Sequence, residues 1–504
     1  MPISCERGGV MLEYWVNGFL TAIAPHNILI LGIGTTLGIL SGGIPGISGT
    51  MAIALAVPVT YTMGPTEAFF LLVSLYASSV YAGSISGILF RTPGAPEGAA
   101  ATLDGHMMAK KGLAGEALGW DIASSVLGGI FGTIVLALVA PQLAKVALEF
   151  GPSEFFALAF LGLSVVSSLG TKNTVKALLS VLIGLLVATV GIDKISGFNR
   201  FTFGTTTLLS GIDFIPTIIG LFAVAEVLNR LKERRQMEGI RAKARAKLPK
   251  LKAMWKLKGL YARSAAIGSF IGILPGVGAT TASFVGLSEA IRWAKNPERY
   301  GTGIPEGVAA PETANNAACS SAMVPLLTMG IPGSAATAIM LGALLIHGLK
   351  PGPLLFLQQP KLVYAIFAAM FLANVMIIFF AKLFIRYFSR VIELPYNILG
   401  PGIIIFCVGG VFAIRNNFGD IWIMMGFAVA GFFMEKYDYP LAPLILGVVL
   451  GPIAEESLRQ AMIISGNNPL ILFSTPIACA LMGLGVLSLF TQQIRYLIVK
   501  VMKK

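Results

Sequence analysis

The stretch Gly38-Ile-Leu-Ser-Gly-Gly-Ile-Pro-Gly-Ile-Ser-Gly-Thr-Met-Ala52 recurs without a gap as Gly268-Ser-Phe-Ile-Gly-Ile-Leu-Pro-Gly-Val-Gly-Ala-Thr-Thr-Ala282. The identical positions are Gly38/Gly268, Gly42/Gly272, Pro45/Pro275, Gly46/Gly276, Thr50/Thr280 and Ala52/Ala282. A second Pro–Gly element follows each copy, as Arg91-Thr-Pro-Gly-Ala-Pro-Glu-Gly98 and as Met329-Gly-Ile-Pro-Gly-Ser-Ala335. Carriers are often built from internal repeats, so this pattern predicts two topologically related halves.

The sequence around the repeat is strongly apolar. Of the 504 residues, 55% are hydrophobic and only 12% are charged, which places the chain among membrane proteins. The clearest apolar runs are Phe69–Phe90, Leu118–Ala140, Leu178–Val190, Tyr364–Ile385 and Ile471–Phe490. Because about 20 apolar residues span a bilayer as a helix, we predict an all-α polytopic membrane protein with about 11 to 13 transmembrane helices.

A basic segment separates the two halves. The formal net charge is +13, and about a dozen Lys and Arg residues lie between Arg230 and Lys258. Basic loops resist translocation, so we expect this loop to be cytoplasmic and the chain to divide into residues 1–229, 230–258 and 259–504. Nucleic acid is not expected as a partner, because Trp255 is the loop's one aromatic residue.

The four Pro–Gly pairs predict interruptions of membrane helices. They are Pro45-Gly46, Pro93-Gly94, Pro275-Gly276 and Pro332-Gly333. Proline removes a backbone donor, and glycine permits the backbone that an unwound segment needs. A broken helix is tolerated in lipid only where the break is buried in protein or lines a polar cavity, so paired breaks indicate a transport site. The alternative is that these residues merely kink the helices.

Small and hydroxyl residues follow the first break in each half. A helix that starts there presents free N–H groups and a positive dipole end, which suit a carboxylate. Such a site would hold a di- or tricarboxylate without a fixed cation. The alternative is that these residues cap and pack helices. The expected substrate-binding residues are Ser48, Gly49, Thr50, Gly278, Thr280 and Thr281.

The densest polar segment within apolar surroundings is Gly303–Ser321. A carboxylate at mid-membrane costs about 2.5–3.5 kcal/mol on insertion scales, so Glu306 and Glu312 need a compensating role if they are buried. Asn315 and Asn316 supply donors and acceptors for a substrate or a cation. We therefore predict that Glu306, Glu312 and Asn315 serve ion coupling and that Asn315 and Asn316 bind substrate. The alternative places both glutamates in an aqueous loop that caps helices.

The chain carries no motif for ATP-driven pumping or hydrolysis. A metal-ligand cluster, a Walker loop and a nucleophile triad are all missing from the sequence, so neither an enzyme nor a resident metal or cofactor is expected. Arg91 stands beside the second Pro–Gly pair, either as a cation facing the substrate or as an interfacial residue.

Three strings of this sequence closely resemble a known family. They are GGIPGISGTMAIALAVPVTY, GILPGVGATTASFVGLSE and the run from Gly303 to Phe356, which contains PEGVAAPETANNA, GIPGSA and HGLKPGP. Together they resemble the large membrane subunit of tripartite tricarboxylate transporters, the TctA family, over nearly the whole chain. The matching signature loops are 42–50, 272–281, 306–316 and 330–334, and the last adds Ser334 to the expected substrate-binding residues. Thr313 stands where the family pattern suggests Ala.

The resemblance implies a permease of the bacterial inner membrane. Its expected partners are a small membrane subunit of about four helices, a periplasmic solute-binding protein and a carboxylate substrate such as citrate. It also implies ion-coupled secondary transport, with sodium as the first candidate ion and protons as the second.

We expect the two halves to be inverted relative to one another, with their broken helices meeting near the midplane. Moving one charge across 100 mV is worth about 2.3 kcal/mol, so a di- or trianion entering a negative interior must be accompanied by several cations. Two other classes stay open at this point: an anion channel, which would conduct without saturation, and a membrane-embedded enzyme.

Overall fold

A computed structural model describes residues 6–44, 47–169, 173–193, 195–232, 246–391 and 396–489. Pro45, Gly46 and most of the basic loop lie outside these residues. The helices of the first half are α1 (Glu6–Ile23), α2 (Pro25–Gly43), α3 (Gly49–Thr60), α4 (Pro65–Ala82), α5 (Ile85–Phe90), α6 (Ala99–Met108), α7 (Ala114–Ala147), α8 (Pro152–Leu169), α9 (Thr174–Ala188), α10 (Thr206–Leu209), α11 (Phe214–Ile218) and α12 (Ala225–Lys232).

The remaining helices belong to the end of the basic segment and to the second half. They are α13 (Leu251–Lys256), α14 (Lys258–Ile273), α15 (Gly278–Arg292), α16 (Glu306–Ser321), α17 (Met323–Met329), α18 (Ala335–Ile346), α19 (Pro353–Gln358), α20 (Pro360–Val391), α21 (Tyr396–Arg415), α22 (Phe418–Lys436), α23 (Leu441–Ile464) and α24 (Pro476–Leu489). Two short antiparallel strands, β1 (Gly191–Ile192) and β2 (Asn199–Arg200), pair Gly191 with Arg200. Short 3-10 or π-helical turns cover Pro96–Gly98, Ala109–Leu113, Ile219–Val224, Pro297–Arg299 and Pro469–Phe473.

The described helices are those of a membrane protein. Six are long and apolar enough to cross a bilayer, and seven shorter apolar helices of 10–17 residues accompany them. The prediction of an all-α, multi-spanning membrane protein is confirmed. The apolar run Phe69–Phe90 is divided, because α4 ends at Ala82 and α5 begins at Ile85.

The centre of the fold is formed by α4 and α16, which are buried along most of their lengths. Small residues let the neighbouring backbones approach closely, as expected where lipid supplies no hydrophobic driving force between helices. On α7, Gly128 and Gly132 lie against the backbone of Thr313 and Ala317. α14 contacts the same buried helix through its own glycines.

The helix ends around the Pro–Gly pairs follow the repeat. α14 ends at Ile273 and α15 begins at Gly278, while α2 ends at Gly43 and α3 begins at Gly49. Arg91 and Gly330 each stand two residues before a Pro–Gly pair, and each closes a short helix in the left-handed conformation, with φ of 59° and 70°. The two halves therefore interrupt their helices at equivalent places among the described residues.

The packing around these ends is also equivalent in the two halves. Gly42 lies on the backbone of Ser79 in α4 and faces Gly94, whereas Gly272 lies on the backbone of Ala318 in α16 and faces Gly333. A side chain at either Gly42 or Gly272 would collide with the backbone beneath it. The repeat seen in the sequence is therefore also a repeat of contacts, and α4 in one half corresponds to α16 in the other.

Across the halves, the contacts are reciprocal. α3 of the first half packs against α18 of the second, and α15 of the second half packs against the turn Pro96–Gly98 and α6 of the first. Each helix that follows a first break thus contacts the helix that follows the second break of the other half.

Candidate functional site

The helix start after the first break is built by Ser48. Its hydroxyl accepts a hydrogen bond from the Met51 backbone N–H at 3.1 Å, which is the contact of an N-cap. Gly49 lies against Ser79 of α4, and Thr50 is half-buried in the first turn of α3. The hydroxyl of Ser48 is thus already engaged within its own helix.

The equivalent start in the second half is built by glycines. Gly276 and Gly278 have φ of 72° and 75°, a conformation that side chains rarely adopt, and α15 begins at Gly278. The Thr281 hydroxyl donates to the Val277 carbonyl at 3.0 Å, and Thr280 is half-buried in the first turn. Pro275 is also half-buried at this turn.

The second Pro–Gly pair of the second half leads into a capped helix. Ser334 accepts from the Thr337 N–H at 3.2 Å, and the Thr337 hydroxyl accepts from the Ser334 N–H at 2.8 Å, so the two form a capping box at the start of α18. Pro332 and Gly333 are buried just before it. The Tyr76 hydroxyl of α4 lies 3.0 Å from the Ser334 hydroxyl.

Two hydrogen bonds cross between the halves in opposite directions. Tyr76 of α4 reaches Ser334 in the loop of the second half, while the Asn315 side chain of α16 donates to the Glu97 carbonyl in the loop of the first half at 3.2 Å. Tyr76 stands three residues before Ser79, and Asn315 three residues before Ala318, so the two side chains occupy equivalent positions on the two central helices. Both Pro–Gly loops are therefore held at one centre, which also contains Asn315 and Ser334.

The acidic segment is divided between a helix end and the core. α16 begins at Glu306, whose partly exposed carboxylate lies in the first turn, where a negative charge is favoured by the helix dipole. Glu312 is fully buried, with 0% exposure. Six residues of α-helix separate the two by about 9 Å along the axis, so they do not form one site.

Buried amides and hydroxyls surround Glu312. Its Oε2 accepts from Ser125 of α7 at 3.0 Å and from Asn315 at 3.3 Å. Asn316 donates to the Glu312 backbone carbonyl at 3.0 Å and to the Asn315 side-chain oxygen at 2.6 Å. The structure thus brings Glu312, Asn315 and Asn316 together, and Asn315 links this group to the loop of the first half.

Asp121 is the residue that the sequence analysis missed. It lies on α7 with 0% exposure and accepts from the Ser84 hydroxyl at 2.7 Å. It precedes Ser125, the donor to Glu312, by one helical turn, so Asp121 and Glu312 are neighbours between α7 and α16. The available signal was a single acid inside the predicted span Leu118–Ala140, since ionisable residues within membrane segments are rare and usually functional.

A nearby acid has a structural role. Asp104 of α6 accepts from the backbone N–H groups of Gly301 at 2.9 Å, Gly303 at 2.7 Å and Ile304 at 3.0 Å. It therefore fixes the loop that precedes α16. Within the ranges given above, no group of three or more His, Cys, Asp or Glu residues could hold a metal ion.

A second acidic group lies away from this centre, beside the strand pair. Arg200 contacts Glu455 at 2.7 Å, and Arg459 contacts Asp193 at 2.7 Å and Glu455 at 3.3 Å. The hydrogen bond from Arg459 holds the pKa of Asp193 well below its usual range. We call these four residues the edge cluster. They line a cavity of about 390 Å³.

The sequence model of the tripartite tricarboxylate transporter TctA family matches residues 28–446. The chain belongs to the TctA family. This TctA-family protein is 39% identical over 470 residues to an uncharacterized 52.8 kDa protein in the TAR-I ttuC' 3' region of Agrobacterium vitis, which covers 93% of each chain. It is also 40% identical over 219 residues to an uncharacterized protein in the TAR-II ttuC' 3' region of the same organism, covering 44% of this chain and 90% of that one. No solved structure gives a significant match.

Membership in the TctA family makes this multi-pass membrane protein the large subunit of a tripartite transporter, a system with further subunits. TctA is a family of transporters, which points away from an enzyme. The resemblance in the sequence is therefore confirmed over nearly the whole chain.

Proposed function

We propose that this TctA protein carries out ion-coupled secondary uptake of di- or tricarboxylates or related organic anions, driven by sodium or protons. The observation that carries this proposal is the reciprocal pair of contacts, Tyr76–Ser334 and Asn315–Glu97, which holds both Pro–Gly loops at one centre between α4 and α16. A site between two such loops can open to either side of the membrane when one half of the protein moves against the other.

The chemistry at this centre suits an anion that must also be released. Beside the Glu97 carboxyl, its side chains are the Asn315 amide and the Tyr76 and Ser334 hydroxyls, and the helices α3, α15 and α18 begin beside it with the positive ends of their dipoles. The first N–H groups of a helix have no partner within the helix, so they can donate to a carboxylate. Ser48, Thr50, Thr280, Thr281 and Ser334 line these starts in our proposal.

The remaining parts of the system follow from the family. We infer a bacterial inner-membrane location, a small membrane subunit of about four helices, and a periplasmic binding protein that delivers the substrate. The reciprocal contacts between α3 and α18 and between α15 and α6 support an arrangement in which the halves are inverted in the membrane.

The test is uptake into proteoliposomes that contain the complete transporter. Labelled citrate, tartrate and succinate are added with the binding protein, with and without imposed sodium and pH gradients. We expect saturable, binding-protein-dependent accumulation of at least one carboxylate against its gradient. An anion channel would instead give conductance that does not saturate and does not respond to either ion gradient, and that result would overturn the proposal.

A further inference from the structure

Two carboxyl groups meet in the interior of the protein, one from α7 and one from α16. Asp121 and Glu312 are both 0% exposed, and Ser125, one helical turn after Asp121 on α7, donates to Glu312 at 3.0 Å. Two neighbouring buried carboxyls cannot both ionise without a large cost, so a proton on one of them is favoured. Two carboxyls that share a proton in this way are known from acid proteases, where like charges at short distance cannot both ionise.

The hydrogen bonds around the pair leave one oxygen free on each residue. Asp121 Oδ1 accepts from Ser84 and Glu312 Oε2 accepts from Ser125 and Asn315, whereas Asp121 Oδ2 and Glu312 Oε1 have no partner that donates to them. In the described part of the chain, no Lys, Arg or His forms an ion pair with either residue. Burying two uncompensated charges would cost several kcal/mol each. A single proton bound by the pair removes one of the two charges.

Unpartnered polar groups point to a site here rather than to a chance contact. The Tyr81 hydroxyl of α4 is fully buried, has no hydrogen-bond partner, and lies within electrostatic reach of both carboxyls. The Asn316 side-chain oxygen beside Glu312 also has no donor. Buried polar groups are normally satisfied, so the Tyr81 hydroxyl and the Asn316 oxygen are free to form new hydrogen bonds when the charge of the pair changes.

We propose that Asp121 and Glu312 form the proton-binding site of the carrier, which takes up one proton between the two carboxyls on one side of the membrane and releases it on the other. This inference rests on the proposed function and assigns its coupling step to specific residues. The balance is simple: the pair carries one proton and one negative charge when loaded, and two negative charges when unloaded.

The pair is connected at two points to the Pro–Gly loop Arg91–Gly98 of the first half. Asn315 donates both to Glu312 Oε2 and to the Glu97 carbonyl, and Ser84, which holds Asp121, lies at the junction of α4 and α5 where Gly98 packs. Removal of the proton increases the charge on Glu312 and strengthens its hold on Asn315, which weakens the contact of Asn315 with the loop. Asn315 is therefore a positioning residue that joins proton binding to the substrate centre.

The other titratable groups around the pair are engaged elsewhere or carry no charge. The Tyr261 hydroxyl of α14 contacts Ser124 at 3.2 Å, and the His106 ring contacts the Ile88 carbonyl at 3.1 Å. Asp104 is held by three backbone N–H groups. The buried titratable side chains on α16 and on the helices packed against α7 and α16 are Tyr76, Tyr81, Asp104, His106, Tyr261, Cys319 and Tyr364.

The first test measures the proton directly and needs no substrate. Infrared difference spectra of the purified transporter are recorded across a pH titration, for the natural protein and for Asp121→Asn and Glu312→Gln. We expect a carboxylic acid C=O band that disappears as the pH rises in the natural protein and is lost or shifted in both variants. The exposed residues Glu298 and Asp438 give the matched controls Glu298→Gln and Asp438→Asn, which should retain the band. A natural protein without a titrating carboxylic acid band, or a band that survives in both pair variants, overturns the proposal.

The second test measures coupling in proteoliposomes. If one proton enters per cycle, a pH step of one unit supports about tenfold accumulation of substrate inside the proteoliposomes. We expect each pair variant to lose this tenfold accumulation. Substrate exchange that remains in the variants should no longer depend on pH. Accumulation that responds to the pH step as in the natural protein would overturn the assignment. If no carboxylate is transported but the infrared band behaves as expected, the proposed substrate is wrong and the proton site stands. Should a variant aggregate, the infrared titration of the natural protein decides.

Discussion

The buried pair Asp121 and Glu312 at the centre of the protein and the edge cluster each contain two acidic residues, but only the edge cluster contains cations. At the edge, Arg200 and Arg459 contact Glu455 and Asp193 at 2.7 to 3.3 Å; Arg200, Arg459 and Glu455 are partly exposed, whereas Asp193 is buried. At the centre, Asp121 and Glu312 are fully buried, and in the described part of the chain neither forms an ion pair. Acids with built-in partners stay charged and connect elements, whereas acids without them need compensation from outside the chain.

The largest effect is expected from neutralising the centre. With Asp121→Asn and Glu312→Gln combined, uptake driven by a pH step of two units should fall about 100-fold, because each proton carried per cycle contributes about tenfold per unit. The thermal midpoint should stay the same or rise, since amides fit the same hydrogen bonds without buried charge. Proteoliposome uptake and thermal unfolding measure the two effects. If the double variant still accumulates substrate normally, the buried pair has no role in coupling and does not differ in function from the edge cluster.

A smaller effect is expected where the pair meets the Pro–Gly loop. Asn315→Ala removes hydrogen bonds to a carboxyl and to the Glu97 carbonyl, which together are worth about 2 kcal/mol or a factor of about 30 in rate. The reduction should vary with pH, because it depends on the charge of Glu312. Initial uptake rates across a pH series measure this dependence. A loss of equal size at every pH would assign Asn315 to packing alone.

Ser334→Ala tests the helix start on the other side of the centre. An N-cap is worth about 1 kcal/mol, so we expect a lower thermal midpoint and about a fivefold higher KM for the carboxylate. Ser465, which lies at a helix end away from the centre, provides the comparison variant Ser465→Ala. If both variants raise KM equally, Ser334 has no special relation to the substrate.

The smallest effect is expected at the edge cluster. Arg459→Met should leave uptake unchanged and lower the thermal midpoint only slightly, as for other partly exposed ion pairs. Because Arg459 lowers the pKa of Asp193, the stabilisation is complete above the ordinary aspartate pKa of about 4 and is lost as the pH falls toward the lowered value. The difference in midpoint between the natural protein and the variant should therefore shrink in acid. A difference that grows in acid would contradict the assigned ion pair.

The sequence was sufficient for the class of fold, because apolar runs of membrane length leave few alternatives. It also indicated Glu312, Asn315 and Asn316, since polar residues inside an apolar run are rare. Glu306 and Glu312 could not be separated from the sequence, as their difference depends on where α16 begins. Asp121 could not be paired with Glu312, because the two are far apart in the chain and meet only through the packing of α7 on α16.

The reciprocal contacts also lay beyond the sequence. The first repeat was visible because six of its residues are identical, but the central helices have diverged: Tyr76 in one corresponds to Asn315 in the other. Different side chains make equivalent contacts at these positions, so a comparison of the two halves by sequence identity could not detect this correspondence. The edge cluster was hidden for a similar reason, since Asp193 and Arg459 lie in different thirds of the chain.

The tight seating of Gly42 and Gly272 limits which parts of the molecule can move separately. At each position the end of a helix rests directly on the main chain of its neighbour, with no space for a methyl group. Sliding one past the other would drive main-chain atoms into each other. Any rearrangement that exposes the centre first to one side and then to the other must therefore carry α2 together with α4, and α14 together with α16, as coupled pairs.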